Sequence, residues 1–324
     1  MTGRAFAVRL PLRAPLAGLD HRDAGLVEGP AGWGEWSPQP GYPSDPVRCW
    51  DASQEPTYEA WPAPVRDRVP INALVPAVPA QKATVLAAEA RAAGIRTVKV
   101  KVGADPAGAD LDRVAAVREA LGSSGRIRID ANAFWDLDDA VPALFRFDKY
   151  DIELAEQPVE TLEDLARLRR RVAVPLAADE AVRSIEDAHR LHRLAAADAL
   201  VVKTQPLGGV RYALAVAEEA GVPVIVSSLY ETSVGLAAGL ALAGCLPELP
   251  FACGLGTAVL LAADVVADPL VPVDGMLVVR RPVPDPELLA RYGSPFEEFE
   301  LESGSSIRIL ARPADRGAAG EAAP

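Results

Sequence analysis

Short apolar runs that end in polar residues recur at a regular distance along most of the chain. Eight such runs lie at 71–75, 97–102, 127–132, 152–157, 176–180, 199–205, 222–228 and 251–257. Polar residues at the ends of five consecutive runs are 29, 26, 23 and 24 residues apart, namely Lys101, Asp130, Glu156, Asp179 and Lys203. A repeat of this length fits one strand followed by one helix.

The segments between these runs have helical patterns with recognisable ends. Helices are predicted over 80–93, 110–121 and 210–220, and a glycine follows each one, where a left-handed residue often ends a helix. Thr161 with Asp164, and Ser184 with Asp187, have approximately the spacing of a capping box, with Asp in place of Glu. Eight apolar strands that alternate with helices predict an α/β protein whose parallel strands close into a barrel.

The two ends of the chain lie outside the repeat. Residues 1–68 are expected to form a small domain of strands and irregular loops, and the barrel is expected to occupy 69–275. Segment 276–312 is expected to return to the N-terminal domain, with the piece 278–284, an acidic helix-like piece at 285–292 and a strand at 306–311. Residues 313–324 are expected to be a disordered tail.

Composition and charge exclude several classes of function. A net charge of -12 argues against nucleic acid as a partner, because phosphate binding needs a basic surface. Arg4 and Arg9 interrupt the first apolar residues too early for a signal peptide, and the apolar segment 234–246 is too short to span a bilayer. An odd number of cysteines without Cys-x-x-Cys spacing indicates reduced thiols in a cytoplasmic protein and no zinc site. The oligomeric state stays open, and a monomer is compatible with the sequence.

Three carboxylates are expected to meet at one mouth of the barrel. Asp130, Glu156 and Asp179 end three successive strands, and the carboxyl ends of barrel strands lie on the same face. Converging carboxylates repel one another in a site of low dielectric, and a divalent cation removes this repulsion. Ligation by oxygen alone favours Mg²⁺ or Mn²⁺.

Lysines flank these acids on both sides. The chain holds five lysines and 28 arginines, so a retained lysine is a candidate for chemistry that arginine cannot perform. Lys99 and Lys101 share one face of a strand, which can also describe a solvated edge, whereas Lys203 is expected on the opposite wall. Two amines around a metal-bound small-molecule carboxylate predict proton abstraction beside that carboxylate, leading to racemisation, cycloisomerisation or elimination. Lys99 is expected to lower the pKa of Lys101 by like-charge repulsion.

An ordered set of motifs carries a resemblance that covers nearly the whole chain. The motifs are Val-Lys-Val-Lys-Val (98–102), Arg-Ile-Asp-Ala-Asn (128–132), Ala-Glu-Gln-Pro (155–158), Ala-Asp-Glu (178–180), Val-Lys-Thr-Gln-Pro-Leu-Gly-Gly (202–209), Ser-Ser-Leu-Tyr-Glu-Thr-Ser-Val-Gly (227–235) and Gly-Leu-Gly-Thr (254–257). Each motif alone is a weak signal, and the set in this order is specific. With these residues the chain resembles the Lys/Lys branch of the enolase superfamily, and within it the o-succinylbenzoate synthases of actinobacterial type.

The resemblance implies a modified TIM barrel, (β/α)₇β, with an α+β capping domain formed by both terminal segments. It implies a lyase of menaquinone biosynthesis that dehydrates 2-succinyl-6-hydroxy-2,4-cyclohexadiene-1-carboxylate to 2-succinylbenzoate. Asp130, Glu156 and Asp179 would bind Mg²⁺, Lys101 would act as base and then as acid, and Lys203 would stabilise the enediolate from the opposite face. The residues that would line the substrate pocket are Lys99, Arg128, Asn132, Ser228 and Gly254.

Other members of the superfamily share the first half of this reaction. The seventh strand carries no histidine, unlike mandelate-racemase-like members, and the eighth carries no Asp-x-Asp, unlike dipeptide epimerases. N-succinylamino acid racemases stay open as an alternative, and a barrel that binds a metal or an acid without catalysis is an alternative of another class. The loop at 13–23 is short compared with the lid of most relatives, which affects the expected specificity and leaves the chemistry unchanged.

Overall fold

The computed structural model describes residues 4–16, 18–39 and 42–295, in which strands and helices alternate. The strands in chain order are β1 (Ala5–Leu16), β2 (Leu19–Gly29), β3 (Gly32–Trp36), β4 (Arg68–Pro70), β5 (Asn72–Val75), β6 (Thr97–Lys101), β7 (Arg126–Asp130), β8 (Ile152–Glu156), β9 (Leu176–Ala178), β10 (Ala199–Lys203), β11 (Val224–Ser227), β12 (Met276–Val278) and β13 (Gly293–Pro295). The helices are α1 (Pro46–Tyr58), α2 (Ala80–Ala92), α3 (Ala107–Leu121), α4 (Leu137–Phe147), α5 (Leu162–Arg169), α6 (Ile185–Leu194), α7 (Thr204–Leu207), α8 (Val210–Ala220), α9 (Ser233–Cys245) and α10 (Pro286–Tyr292).

Seven parallel strands form one curved sheet in which neighbours in sequence are neighbours in space. The order runs from β5 to β11 without interruption, and helices connect the strands, as the repeat predicted. Alternation separates the two faces of each strand: Val98 and Val100 of β6 are fully buried against the surrounding helices, whereas Lys99 and Lys101 face the inside. The predicted α/β barrel architecture is therefore confirmed.

The prediction of an eighth extended strand over 251–257 is wrong. Single bridges close the sheet instead, because Cys253 pairs with Ile71 beside β5 and Gly254 pairs with Ser227 of β11. Leu255 has a ψ of 3°, and a 3-10 helix follows at Gly256–Leu260, so the extended backbone ends after Gly254. A β-carbon on Gly254 would lie 2.5 Å from Ser227 Oγ, and only glycine allows this close approach.

The helix ends follow the signals in the sequence. Glycines with positive φ follow three helices, Gly94 (78°) after α2, Gly122 (71°) after α3 and Gly221 (62°) after α8. Helix α3 begins three residues before its predicted start. Thr161 and Ser184 accept hydrogen bonds from the backbone N–H groups three residues later, so both are N-caps.

The interior of the barrel has an apolar side and a polar side. The apolar side consists of small and branched side chains packed with Phe251, namely Leu154, Ala177, Ala199, Val201 and Ile225. On the polar side, Lys99 of β6 and Arg128 of β7 lie opposite each other in register. The side chains of Lys101, Asp130 and Glu156 lie above them, toward the carboxyl ends of the strands. The charged side chains at the ends of β6, β7 and β8 therefore face one mouth of the barrel, and the apolar group fills the other side of the interior.

A second sheet and helix α1 form the cap. Its antiparallel order is β13-β1-β2-β3, so a strand from residues 293–295 pairs with the first strand of the chain, and β12 pairs with β4. Helix α10 agrees with the helix-like piece predicted at 285–292, and strand β12 ends at Val278, the first residue of the piece 278–284. The predicted strand 306–311 and tail 313–324 lie outside the described residues, and the domain limits 1–68, 69–275 and 276–312 stay predictions.

Buried polar contacts fix the cap on the barrel. The carboxylate of Glu35 in β3 accepts hydrogen bonds from Thr232 N (3.1 Å), Thr232 Oγ1 (2.5 Å) and Gly235 N (2.9 Å) at the start of α9. Gln205, two residues after β10, donates to Glu35 O and accepts from Ser37 N. Within the described ranges, no helix is long and apolar enough to span a membrane.

Candidate active site

The carboxyl ends of strands β6 to β10 carry a row of charged side chains at one mouth of the barrel. Lys101, Asp130 and Glu156 are neighbours in register at the last positions of β6, β7 and β8. Asp179 follows β9 directly, and Lys203 is the last residue of β10. All three acids and Lys203 are buried. We call this row the rim.

Asn132 and the acid of the neighbouring strand hold Lys101. Its Nζ donates to Asp130 Oδ2 (2.7 Å) and to Asn132 Oδ1 (2.6 Å). The amide of Asn132 in turn donates to Glu180 Oε1 (2.8 Å), and its backbone N–H donates to Asp130 Oδ1 (3.1 Å). Lys101, Asp130 and Asn132 therefore form one connected group, which we call the first wall.

Lys99 lies between two of the acids. Its Nζ is 2.9 Å from Asp130 Oδ2 and 2.7 Å from Glu156 Oε1, so the strand alternation brings both lysines of β6 to the same carboxylate. Burial by itself lowers the pKa of Lys99, but the carboxylates of Asp130 and Glu156 outweigh it and raise the pKa above its usual value. Lys99 is thus a buried ammonium group held by two acids.

Lys203 and Asp179 form a second buried ion pair, completed by Tyr42 of the cap. Lys203 Nζ donates to both oxygens of Asp179, at 2.5 Å to Oδ1, and to Tyr42 Oη at 3.2 Å. Tyr42 Oη donates to Asp179 Oδ1 at 2.9 Å, and the ammonium lies 4.3 Å from the centre of the tyrosine ring. Gln157 Oε1 accepts from Asp179 N (2.7 Å). We call Tyr42, Asp179 and Lys203 the second wall.

The three acids have unequal environments. Burial raises the pKa of Asp130, but Lys101 and Lys99 outweigh burial and hold the pKa well below its usual range. Burial, and then the charge of Asp130, raise the pKa of Glu156 to about 7. Burial also raises the pKa of Asp179, against the opposing effect of Lys203. Asp130 is therefore held in its charged form by the two lysines, whereas burial favours the protonated forms of Glu156 and Asp179.

The donor set fits a hard divalent cation. Within residues 4–16, 18–39 and 42–295, no three acidic, histidine or cysteine side chains converge closely enough to hold an ion in their present positions. However, the ammonium group of Lys99 already bridges two of the three rim acids and serves as a stand-in cation. Buried carboxylate oxygens are ligands that Mg²⁺ and Mn²⁺ prefer.

Left-handed backbone occurs repeatedly beside these residues. Non-glycine residues with positive φ at the mouth are Asn132 (43°), Ala133 (59°), Gln157 (37°) and Tyr230 (64°). Such conformations cost on the order of 1 kcal/mol or more each and persist where surrounding contacts fix them. Here the hydrogen bonds of two side chains provide such contacts, because Asn132 accepts from Lys101 Nζ and Gln157 accepts from Asp179 N.

Arg128 lies away from the mouth, in a group of residues that we call the barrel floor. Its guanidinium donates to Glu153, to Ala252 O (2.7 Å) and to Asn72 Oδ1 (3.5 Å), and the residue is only 1% exposed. Glu153 is the extra residue of a β-bulge, because Ile127 pairs with Ile152 whereas Arg128 pairs with Leu154. These contacts indicate that Arg128 stabilises the barrel floor. Its contact with the substrate stays a prediction.

Ser228 and Gly254 lie where the barrel closes. Ser228 Oγ donates to Gly254 O (2.6 Å) and is 3.0 Å from Thr257 Oγ1. Both residues are half-buried at the mouth, between β11 and the start of the barrel. Their place in the substrate pocket stays a prediction.

The sequence did not identify Tyr42 or Gln157 as functional. Tyr42 is 161 residues from Lys203 in the chain and lies in a segment without regular structure, so no periodic signal marked it. Gln157 follows Glu156 inside the Ala-Glu-Gln-Pro motif, and its position beside a predicted ligand was a usable signal. Glu180, which follows Asp179 directly in the chain, accepts a hydrogen bond from the Asn132 amide.

Comparisons with known proteins agree with this architecture. The family model described as Enolase C-terminal domain-like matches residues 82–285, and the one described as Enolase N-terminal domain-like matches residues 7–55. An o-succinylbenzoate synthase from Thermobifida fusca is 54% identical over 285 residues, which cover 87% of this chain and 88% of that protein. One from Mycolicibacterium smegmatis is 46% identical and covers 90% of each chain.

Solved structures support the fold. A muconate lactonizing enzyme from Pseudomonas fluorescens, in complex with muconolactone, superposes with a TM-score of 0.81 at 23% identity and covers 90% of this chain and 98% of that one. A 2-chloromuconate cycloisomerase from Rhodococcus opacus has a TM-score of 0.79 at 26% identity, with the same coverage.

Proposed function

The chain belongs to the enolase superfamily, and from this premise we propose that it is an o-succinylbenzoate synthase. This enzyme is a lyase. It removes water from 2-succinyl-6-hydroxy-2,4-cyclohexadiene-1-carboxylate and gives aromatic 2-succinylbenzoate, a step of menaquinone biosynthesis. Relatives of this name match about 90% of the chain.

The arrangement of the rim is the observation that carries this proposal. Three acids on neighbouring strands lie between two lysines, and each of those lysines reaches one of the acids. A small carboxylate that binds between the walls would have an amine on either side of its α-carbon. This arrangement suits removal of the α-proton, because a base and a cationic stabiliser are available from different directions.

Different exposure and contacts support different roles for the two lysines. The side chain of Lys101 is 24% exposed and has two hydrogen-bond acceptors, which leaves one N–H direction of the ammonium group open. Lys203 is 6% exposed, and three acceptor atoms surround its ammonium group. We assign the base to Lys101, after it has lost a proton, and the stabilisation of negative charge to Lys203.

The proposed reaction balances without a further reactant. Lys101 takes the proton from the carbon that bears the carboxylate, and the electron pair of that C–H bond moves onto the carboxylate to give an enediolate, whose charge Lys203 stabilises. The neighbouring C–O bond then breaks, and Lys101 returns its proton to the departing hydroxyl, so that water leaves and the ring becomes aromatic. Asn132 orients Lys101 for both transfers through its 2.6 Å hydrogen bond.

Enzymes of this superfamily generally use Mg²⁺, and the residues that would hold it here are Asp130, Glu156 and Asp179. Bound Mg²⁺, or Mn²⁺ in its place, would supply electrostatic stabilisation of the substrate carboxylate. The oxygen atoms of these three side chains, buried at the ends of neighbouring strands, are the type of ligand that this cation prefers. Lys99, which contacts Asp130 and Glu156, and Ser228 and Gly254 at the closure of the barrel are further proposed substrate contacts.

Absorbance of the purified protein with the cyclohexadiene substrate and Mg²⁺ tests the proposal. We expect formation of the aromatic product, and we expect EDTA to abolish it and added Mg²⁺ to restore it. Intact Mg²⁺ binding without any turnover would favour the non-catalytic barrel.

A second candidate is an N-succinylamino acid racemase. The presence of one amine on each wall favours it, because racemisation needs proton transfer on both faces of the α-carbon. Incubation with N-succinylamino acids in deuterated water would then give deuterium exchange and loss of optical rotation.

We also propose the cytoplasm as the location of the protein, which three free cysteines support.

A further inference from the structure

Tyr42 is the cap residue that contacts the reactive groups of the second wall. Its hydroxyl accepts a hydrogen bond from Lys203 Nζ and donates one to Asp179 Oδ1, and the face of its ring lies against the same ammonium group. A phenol can accept and donate at the same time, and phenylalanine can do neither. The side chain therefore contacts both members of the ion pair with one oxygen atom.

Gln205 of the barrel and Arg22 of the cap hold the segment that leads to Tyr42. Gln205, two residues beyond Lys203, donates to Glu35 O and accepts from Ser37 N. The buried guanidinium of Arg22 in β2 donates to the carbonyl oxygens of Ser37 and Pro38. Farther along, Tyr42 N donates to Gln39 O (3.1 Å). The end of β10 thus presents Lys203 and also anchors the cap segment that reaches it.

We propose that Tyr42 is a positioning residue that couples the seating of the cap to the geometry of the Asp179–Lys203 pair. With the cap seated, the phenol fixes one oxygen of Asp179 and one N–H of Lys203. Without it, the ion pair loses a donor and an acceptor in a buried site. Partners of ligating carboxylates have effects of about 10-fold to 100-fold on metal affinity or activity.

The coupling explains an asymmetry between the two walls. Among the described residues, the hydrogen-bond partners of the Lys101 ammonium group belong to the barrel, so these contacts of the first wall do not depend on the cap. The second wall needs a residue of the cap. The position of the cap therefore affects both the stabilisation of substrate by Lys203 and the ordering of Asp179. The first effect rests on the proposed function, and the second is independent of it.

Tyr42→Phe is the first test, because it keeps the ring and removes the hydroxyl. We expect the Kd for Mg²⁺, measured by calorimetry without substrate, to rise about 10-fold. We expect kcat to fall about 10-fold while KM changes less than about twofold, since the hydroxyl orients groups that act in the transition state. Tyr58→Phe is the matched control, because Tyr58 lies on α1 and is 64% exposed.

A double-mutant cycle separates coupling from simple packing. Gln205→Leu releases the cap segment and leaves the hydroxyl of Tyr42 in the chain. In that background, we expect Tyr42→Phe to change the Kd for Mg²⁺ by less than about threefold, because the two residues act through the same contact.

Two results would overturn the proposal. One is a Tyr42→Phe variant whose Mg²⁺ affinity and kcat both stay within twofold of the unaltered protein. The other is independent, multiplicative effects of Tyr42→Phe and Gln205→Leu. If the unaltered protein did not convert the cyclohexadiene substrate, the proposed function would fail, while the calorimetric comparison would still decide the role of Tyr42.

Discussion

The two walls of the site hold the same kind of group in different ways. On the first wall, Lys101 contacts Asp130 and Asn132, both within a few residues of the end of β7, and its side chain is partly exposed. On the second wall, Lys203 is enclosed by Asp179 and by Tyr42 of the cap. An amine that must exchange a proton suits the open wall, and an amine that must stay charged suits the closed one.

This difference shows how one barrel can give two lysines separate tasks. Neighbouring strand ends assemble the first wall, so its geometry is local to the sheet. Distant segments assemble the second wall, so its geometry depends on how the cap packs. The following predictions test this division, beginning with the largest expected effect.

Removal of either lysine is expected to have the largest effect. Lys101→Ala should lower kcat by about 10³-fold to 10⁴-fold, because the acid and base are lost together. Lys203→Ala should lower kcat by about 10²-fold to 10³-fold through lost charge stabilisation. Steady-state kinetics with the cyclohexadiene substrate measure both, and Lys82→Ala on the exposed side of α2 serves as control. Retention of more than a tenth of kcat by either variant contradicts its assigned role.

Arg128 allows a test of the support beneath the first wall. Arg128→Met should lower the free energy of unfolding by about 3 to 5 kcal/mol, because Glu153 would stay in the barrel floor without its buried partner. Arg126→Met is the matched control: Arg126 pairs with the same carboxylate but is 60% exposed, so about 1 kcal/mol or less is expected. Urea denaturation measures both. A stable Arg128→Met variant with a raised KM would instead favour the predicted substrate contact.

Glu35 gives the attachment of the cap a dependence on pH. Burial, and the nearby Glu231, raise the pKa of Glu35 from 4.5 to about 7, although Thr232 donates to it. The folded protein therefore binds this proton more tightly than the unfolded chain. The contribution of protonated Glu35 to the free energy of unfolding is fully present below about pH 4.5 and is lost as the pH rises toward 7. This loss amounts to roughly 3 kcal/mol at most.

Unfolding by urea at several pH values measures this effect. The difference in unfolding free energy between the unaltered protein and Glu35→Gln should shift in favour of the variant from pH 5 to pH 8. Asp23→Asn, on the exposed surface of the cap, should show no such shift of the same sign and size. A constant difference between Glu35→Gln and the unaltered protein would show that Glu35 does not titrate in this range.

Asn132 is expected to give the smallest effect of the set. Asn132→Ala removes one acceptor of Lys101 and its link to Glu180, but it leaves Asp130 in place. We expect kcat to fall about 10-fold, as for other residues that orient a reactive group. Asn132→Asp, which keeps an acceptor, should recover part of the loss. An equal loss in both variants would contradict the role of Asn132 as an acceptor for Lys101, because Asp keeps the acceptor and also tolerates the left-handed backbone at this position.

Several features were readable from the sequence because they depend on local order. The distances between Lys101, Asp130, Glu156, Asp179 and Lys203 follow from one strand and one helix per unit, and parallel strands place their carboxyl ends together. Alternation along β6 turned Lys99 and Lys101 to the same acid. Glycines with positive φ ended three helices where they were expected.

Other features could not be predicted from the sequence, because they depend on packing between distant segments. The bulge at Glu153 shifts the pairing of β8 by one residue, and a residue count alone cannot reveal such a shift. It brings Glu153 under Arg128 and gives that arginine partners in the barrel floor. The prediction of an eighth strand was wrong for a similar reason. The chain makes one bridge to Ile71 and one to Ser227, and at Leu255 it leaves the extended conformation.

The sequence alone determined the order of the elements, the family and the chemical type of each rim residue, since these follow from periodic patterns and short motifs. Tertiary structure decided which of these residues meet. Tyr42 joins Lys203 only because Glu35, Gln205 and the start of α9 bury the cap segment against the barrel. Contacts between segments so far apart arise from the packing of complementary surfaces, and no local pattern in the chain records that packing.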